Sequence, residues 1–270
     1  MLPLKDENPT RRLAILTVAL IAACVIVYFF VQPTAQTALV ASEDKAIANL
    51  EFNFTNAAIP CELVQRRPLT TEEVHDTVVD GVANACDRSP SGPPAVPGKA
   101  IFLAVLYSMF LHGGLLHLGG NMLYLWVFGN NIEDTRGRLQ YLVFYLLAGV
   151  VATITHVLTQ PSSTVPLVGA SGAVAGVMGA YLVLYPNVKI RSIPMVPFLI
   201  FFIGTFRISA KWLLGFWFIS QFFINPNGGV ASMAHVGGFA FGVLAGLLWR
   251  SRRPEVPSTR AIYEVQNPPW

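Results

Sequence analysis

The run from Leu139 to Leu158, LQYLVFYLLAGVVATITHVL, holds 20 residues and no Asp, Glu, Lys or Arg. As a helix rising 1.5 Å per residue it would measure about 30 Å, the thickness of the hydrocarbon layer of a bilayer. Charge-free tracts also cover Leu13 to Ser42, Ala100 to Ile132 and Trp212 to Trp249, and the quoted run itself continues without charge to Val188. Across its 270 residues the chain is 53% hydrophobic and only 12% charged, a supply too small to cover a soluble globule. The same composition excludes a disordered chain, a collagen and a disulfide-stapled miniprotein. An all-α, multi-spanning membrane protein remains. The net charge of +3 gives no argument for a nucleic-acid partner.

Outward from that run, six spans are expected: Leu13 to Val31, Leu111 to Phe128, Leu139 to Leu158, Gly169 to Leu184, Ala210 to Phe223, and Ala234 to Trp249. Pro161 and Pro166, with polar residues between them, break the long third tract in two. Ile101 to Phe110 and Pro197 to Phe206 are apolar but too short to cross, and read as interfacial or partly inserted. Arg11 and Arg12 before the first span, and Ala35, Ala38 and Ala41 after it, have the look of a signal peptide. The apolar run exceeds the roughly 7–15 residues of a signal core, so a retained helix is expected.

The few charges orient the chain. Six spans put both termini on one side, and 13 of the 18 basic residues then fall there, including Arg136, Arg138, Lys189, Arg191, Arg207 and Lys211. By the positive-inside rule that side is cytoplasmic. The expected division is a cytoplasmic segment (1–12), a first transmembrane helix (13–32), an extracytoplasmic loop (33–99), a core with five further helices (100–250) and a cytoplasmic tail (251–270). The loop holds Cys61 and Cys86. Outside the cytoplasm a disulfide between them is permitted, and two unpaired thiols are the other reading. Pro90, Pro93, Pro94 and Pro97 mark a linker into the second span.

Strongly polar residues inside a membrane are costly, which makes them functional candidates. In His112-Gly-Gly-Leu-Leu-His117-Leu-Gly-Gly-Asn121, a helix sets His117 and Asn121 on one face, while His112 is about 140° away from His117. Gly169-Ala170-Ser171-Gly172 opens the fourth span, where free N–H groups and the positive helix end suit a developing oxyanion. Ala234-His235 opens the sixth. Gly172, Gly176 and Gly179 form a small-residue face on the fourth span, and Gly238, Gly242 and Gly246 one on the sixth. Such faces let membrane helices approach closely. Packed together, they set Ser171 near His235, each at the outer end of its stripe. Imidazole can activate a serine hydroxyl near neutral pH. Asn121, His117 and the Ser171 N–H are available oxyanion donors. The spans offer no acid at that depth, so a dyad is permitted and an Asp-containing triad is not.

These three motifs, in this order on three expected spans, resemble the rhomboid intramembrane serine proteases. Phe128-Gly-Asn-Asn-Ile-Glu-Asp134 and the stretch from Trp217 to Phe222 support the resemblance, which covers about Ser108 to Arg250. It implies a six-helix bundle with nucleophile Ser171 and base His235, and oxyanion contacts from Asn121 and His117. It further implies a water-filled cavity open to the outer side of a cell membrane, the fifth span as a lateral gate and Asn225 to Met233 as a cap. The implied substrates are single-span membrane proteins, with no cofactor and no metal. One departure stands out. Many family members carry an aromatic one turn after the nucleophile, stacked on the base; here that residue is Ala175, and another group must orient His235.

Two other function classes fit parts of the sequence. Ala175 and the unusual first loop would suit a catalytically silent relative that binds transmembrane helices. His112, His117 and His235 would suit a solute or metal carrier, but they lack close ligand spacing and no inverted repeat is visible.

Overall fold

The computed structural model describes residues 1–33, 43–87, 92–194, 204–225 and 229–251. Most of the Pro197 to Phe206 segment, part of the Asn225 to Met233 loop, Pro90 of the linker and nearly all of the tail lie outside the described residues.

The chain is mostly helical. In order come strand β1 (Leu2–Asp6) and helix α1 (Ile15–Ile26), which runs on through a π-helical turn (Val27–Val31). Helices α2 (Glu43–Asn56), α3 (Pro60–Gln65), α4 (Thr71–Val78) and α5 (Ala104–Ser108) follow, then α6 (Leu115–Arg136), α7 (Arg138–Thr159) and α8 (Ser171–Leu184). Strands β2 (Lys189–Ile193) and β3 (Phe206–Ser209) precede α9 (Ala210–Ser220), a 3₁₀ turn (Gln221–Phe223) and α10 (Ser232–Ser251).

Helices stand at all six places where spans were expected, but their lengths differ from a set of six full crossings. Among the described residues only α7 and α10 are long and apolar enough to cross a bilayer by themselves. α6 is long but polar at its far end, where Asn130, Asn131, Glu133, Asp134 and Arg136 extend it beyond the expected stop at Phe128. α8 has 14 residues, about 21 Å of helix, shorter than the roughly 30 Å hydrocarbon layer of a bilayer. Ile101 to Phe110 contains only the short α5.

The surface is inverted relative to a soluble protein. Large apolar side chains point outward from α7 (Leu139, Val143, Leu147, Ile154, Leu158), α9 (Trp212, Phe216, Ile219) and α10 (Leu244, Leu247, Leu248). The interior between α8 and its neighbours is built from glycine and alanine. A Cβ on Gly238 would strike the carbonyl oxygen of Gly172, and one on Gly242 that of Gly176. At the same two glycines, Gly172 and Gly176, α8 also lies against Ala152 and Ala148 of α7. Backbones meet this closely only where the side chains are missing.

The expectation of an all-α chain is corrected by a three-stranded antiparallel sheet, ordered β1-β2-β3. It gathers the N-terminal segment and the α8–α9 connection at one end of the bundle, pairing Lys5 with Arg191 and Arg191 with Arg207. Side chains of the α6 end tie the same region together. Glu133 accepts hydrogen bonds from the backbone N–H groups of Leu16 (3.0 Å) and Thr17 (2.7 Å), capping the N-terminus of α1. Asp134 accepts from the N–H groups of Arg11 and Arg12, and Asp6 from Tyr181 and Asn131.

The opposite end carries a small module, α2 to α4, with its own apolar core of Phe54, Ile59, Cys61 and Leu69. Cys61 and Cys86 are joined in a disulfide, with Cα atoms 5.7 Å apart. Pro60 at the first turn starts α3, and a capping box between Thr70 and Glu73 starts α4. Glu73 is the hub: Arg67 grips it with two N–H groups, each at 2.8 Å, and the N–H groups of Thr70 and Asp87 complete the shell. Lys99 of the linker is buried beside Glu62 at 2.7 Å. Burial lowers the Lys99 pKa and raises that of Glu62, and the pairing only partly offsets both.

Candidate active site

The module docks on the segment that leads to α8. Cys61 N–H donates to Ser163 O, Leu167 N–H to Ala58 O and Thr164 N–H to Ala83 O. Below this seam lies a cavity of about 1140 Å³. Ser171, His235, His117 and Asn121 all line it, together with His156, Trp217 and, from the module, Ala83 and Asn84.

At its floor His235 Nε2 is 2.8 Å from Ser171 Oγ. The two residues belong to α8 and α10, and the glycine contacts between these helices bring them together. Ser171 is the first residue of α8. The first intrahelical bond runs from Val174 N–H to Ala170 O, so the N–H groups of Ser171, Gly172 and Ala173 have no acceptor within the helix. Gly169 precedes them with φ +132°, and a Cβ there would lie 2.8 Å from His117 Cε1. The bare glycine is what lets the His117 ring lie beside the serine.

His117 and Asn121 share a face of α6, as their spacing requires. The Gly113 N–H points at His117 Nδ1 (3.4 Å), which puts the ring proton on Nε2, on the edge that faces Gly169. Asn121 spends one amide hydrogen on the His117 carbonyl oxygen (2.9 Å) and has a second free for the cavity. His112 stays out of the cavity lining. It is fully buried, packs edge-on against His117 (5.3 Å between ring centroids), and has its backbone N–H and C=O both held by the Gln32 side chain. Its role is to support the segment that carries His117.

Three residues of this site were not singled out from the sequence. Gln221, just past α9, places Oε1 2.7 Å from His235 Nδ1. Trp217, one turn earlier, packs its ring 5.7 Å from that of His235. His156, in the last turn of α7, is almost fully buried with Nδ1 unbonded and faces the same cavity. Ala175 is buried one turn into α8 and contributes no ring, so the contacts on the far side of His235 come from α9.

Two groups of side chains could offer ligand atoms to a metal among the described residues, Cys61 with Glu73 and Cys86, and His75 with Asp76 and Asp80. In the first the sulfurs are spent on the disulfide, and the second lies on the module surface. Neither adjoins the cavity.

Comparison with known proteins agrees with this architecture. Residues 100–252 match the family model described as the Rhomboid domain. The chain is 31% identical over 178 residues to Presenilin-associated rhomboid-like protein A, mitochondrial, of Danio rerio, covering 63% of this chain and 44% of that protein. It is 32% identical over 92 residues to Rhomboid protein 1, mitochondrial, of Saccharomyces cerevisiae, covering 33% and 27% of the two chains. To Rhomboid protease GluP of Bacillus subtilis it is 38% identical over 78 residues, or 29% of this chain and 15% of that one. The chain thus spans under half the length of these curated relatives. With more than half of its residues inside the domain match, and with the outward-facing apolar surface such membrane proteins share, this chain belongs to the rhomboid family.

Proposed function

We propose that the protein is an intramembrane serine endopeptidase that hydrolyses peptide bonds in or near transmembrane helices. The observation that carries this reading is the 2.8 Å contact between His235 Nε2 and Ser171 Oγ on the floor of a cavity large enough for a peptide strand. Ser171 is the nucleophile and His235 the general base. As Ser171 Oγ adds to the scissile carbonyl, His235 Nε2 takes its proton; the imidazolium then returns it to the leaving amine. The developing oxyanion is held by the Ser171 N–H, His117 Nε2–H and the free amide hydrogen of Asn121. Water, activated by the same histidine, releases the acyl-enzyme.

Five of the helices then form a rhomboid core over residues 100–250, preceded by α1 as the first of six spans, with both termini cytoplasmic. Supporting this is the gathering of Lys5, Lys189, Arg191 and Arg207 on the sheet end, while the disulfide and the cavity lie at the other. The site would face the extracytoplasmic side of a cell membrane and take single-span membrane proteins as substrates, with no cofactor or metal.

The test is cleavage of a reporter membrane helix by purified protein in lipid, paired with labelling by a fluorophosphonate probe. Ser171→Ala and His235→Ala should each abolish cleavage, and Ser171→Ala should abolish labelling. Cleavage retained by both variants would overturn the proposal. Stable helix binding by a wild type that is never labelled would favour a silent helix-binding relative.

A further inference from the structure

Gln221 follows directly on the aromatic helix α9 and is 4% exposed. Its Nε2 donates to Trp217 O (2.9 Å) and to Ser220 Oγ (3.1 Å), and its Oε1 faces His235 Nδ1 at 2.7 Å. Ser220 Oγ spends its own hydrogen on Trp217 O (2.6 Å), so it meets Gln221 as an acceptor. The two ends of this amide are therefore not interchangeable. Turned over, Oε1 would face a carbonyl oxygen and a hydroxyl oxygen with no hydrogen between them, and an NH₂ would face the histidine. With Oε1 toward the ring, His235 must donate from Nδ1. The Nε2 lone pair is then the one that faces Ser171 Oγ.

We infer that Gln221 is the positioning residue of the base: a neutral amide on the α9 side locks His235 in the tautomer that can accept the serine proton. It does the work that a ring stacked from position 175 would otherwise do, and it does so without the negative charge of a triad carboxylate. Ser171, His235 and Gln221 form a chain of three residues drawn from three different helical segments. The inference rests on the peptidase reading for its consequence in rate, but the tautomer itself can be observed independently of any activity.

The experiment compares Gln221→Met, similar in volume but without acceptor or donor, with Gln221→Glu, which keeps an acceptor on the ring side, in the full-length protein in lipid. Losing one hydrogen bond of ordinary strength should slow kcat and Ser171 phosphonylation about tenfold in the Met variant, with KM within about twofold, and the Glu variant should recover most of the rate. In ¹⁵N-histidine NMR, with the His235 signal assigned through His235→Gln, wild type should show Nδ1 protonated and Nε2 bare, and Gln221→Met should lose that signature. An unchanged rate and unchanged signal in Gln221→Met would overturn the inference while leaving the peptidase standing. Equal loss in the Met and Glu variants would overturn it as well, by making the residue a matter of packing. If wild type neither cleaves nor is labelled, the peptidase reading fails, and the tautomer signal alone still decides for or against Gln221.

Discussion

The carbonyl oxygen of Gly176 on α8 occupies the space that a side chain at Gly242 on α10 would need. The atom in the way is backbone, so nothing can rotate aside. Gly242→Ala should cost about 1–3 kcal/mol of stability, the usual penalty for overpacking, and Gly242→Val more. Denaturant titration in micelles measures it. Cleavage should fall along with stability, because α8 and α10 pushed apart separate Ser171 from His235.

Gly169→Ala should separate activity from stability. Its backbone sits at φ +132°, and the new methyl group would press on the His117 ring. If His117 is an oxyanion donor as proposed, displacing it should slow Ser171 labelling on the order of a hundredfold. The melting temperature should respond far less than for Gly242→Val, because Gly169 lies in a cavity-lining loop rather than between two helices.

Glu133→Gln should weaken the bundle at its other end. The carboxylate accepts from two backbone N–H groups at the start of α1 and from the Thr17 hydroxyl. The amide has one oxygen in place of two and brings an NH₂ toward a donor. A loss of about 1–3 kcal/mol is expected, read as earlier release of α1 in hydrogen exchange.

Acid should loosen the module before the membrane core. Burial by itself would raise the Glu73 carboxyl, but Arg67 and the N–H groups of Thr70 and Asp87 outweigh it and hold the pKa at about 2, against an ordinary 4.5. A depressed carboxylate stabilises the fold fully above its unfolded pKa. That contribution drains away as pH falls from about 4.5 toward 2. Limited proteolysis of the module across this window should show the loss in wild type, and Glu73→Gln should be destabilised at neutral pH with a flatter profile.

Reducing the disulfide should act on the cavity from a distance. Cys61 and Cys86 are 25 residues apart in the chain, and closing a loop of that size is worth about 3 kcal/mol. Ala83 and Asn84, just before Cys86, form part of the cavity rim. Cys61→Ser with Cys86→Ser should therefore raise protease sensitivity between residues 60 and 87, and shift KM for a membrane substrate more than the rate of labelling by a small phosphonate.

What could be read beforehand follows from how local each signal is. α7 and α10 announce themselves as charge-free runs, and Ser171 and His235 as polar residues at the heads of glycine stripes. The sheet was illegible because its strands lie far apart in the chain. Lys5 meets Arg191 across some 180 residues, and neither KIRSI nor FRIS is long enough to stand out alone. Gln221 was hidden by its surroundings. It sits in an aromatic stretch that stands out only by its family resemblance, although Ala175 implies that some other group must steady His235. Glu133 and Asp134 lie beyond the expected end of the second span at Phe128, yet α6 runs on through them, and their carboxylates accept hydrogen bonds from the chain at and just before the α1 start.

The two ends of α9 are held by different kinds of bond. Its foot is stitched to the turn between α8 and β2, with Ala210 N–H donating to Val188 O and Lys211 N–H to Pro186 O. Its head is fastened through the Gln221–His235 hydrogen bond and the Trp217 ring contact. If the proposed peptidase admits its substrate helix past α9, a helix pinned at the foot and latched at the head would swing like a door, and the latch would be the proposed base. With the door ajar, His235 would be unlatched. On that reading hydrolysis would wait until the polypeptide is inside and the door has shut behind it.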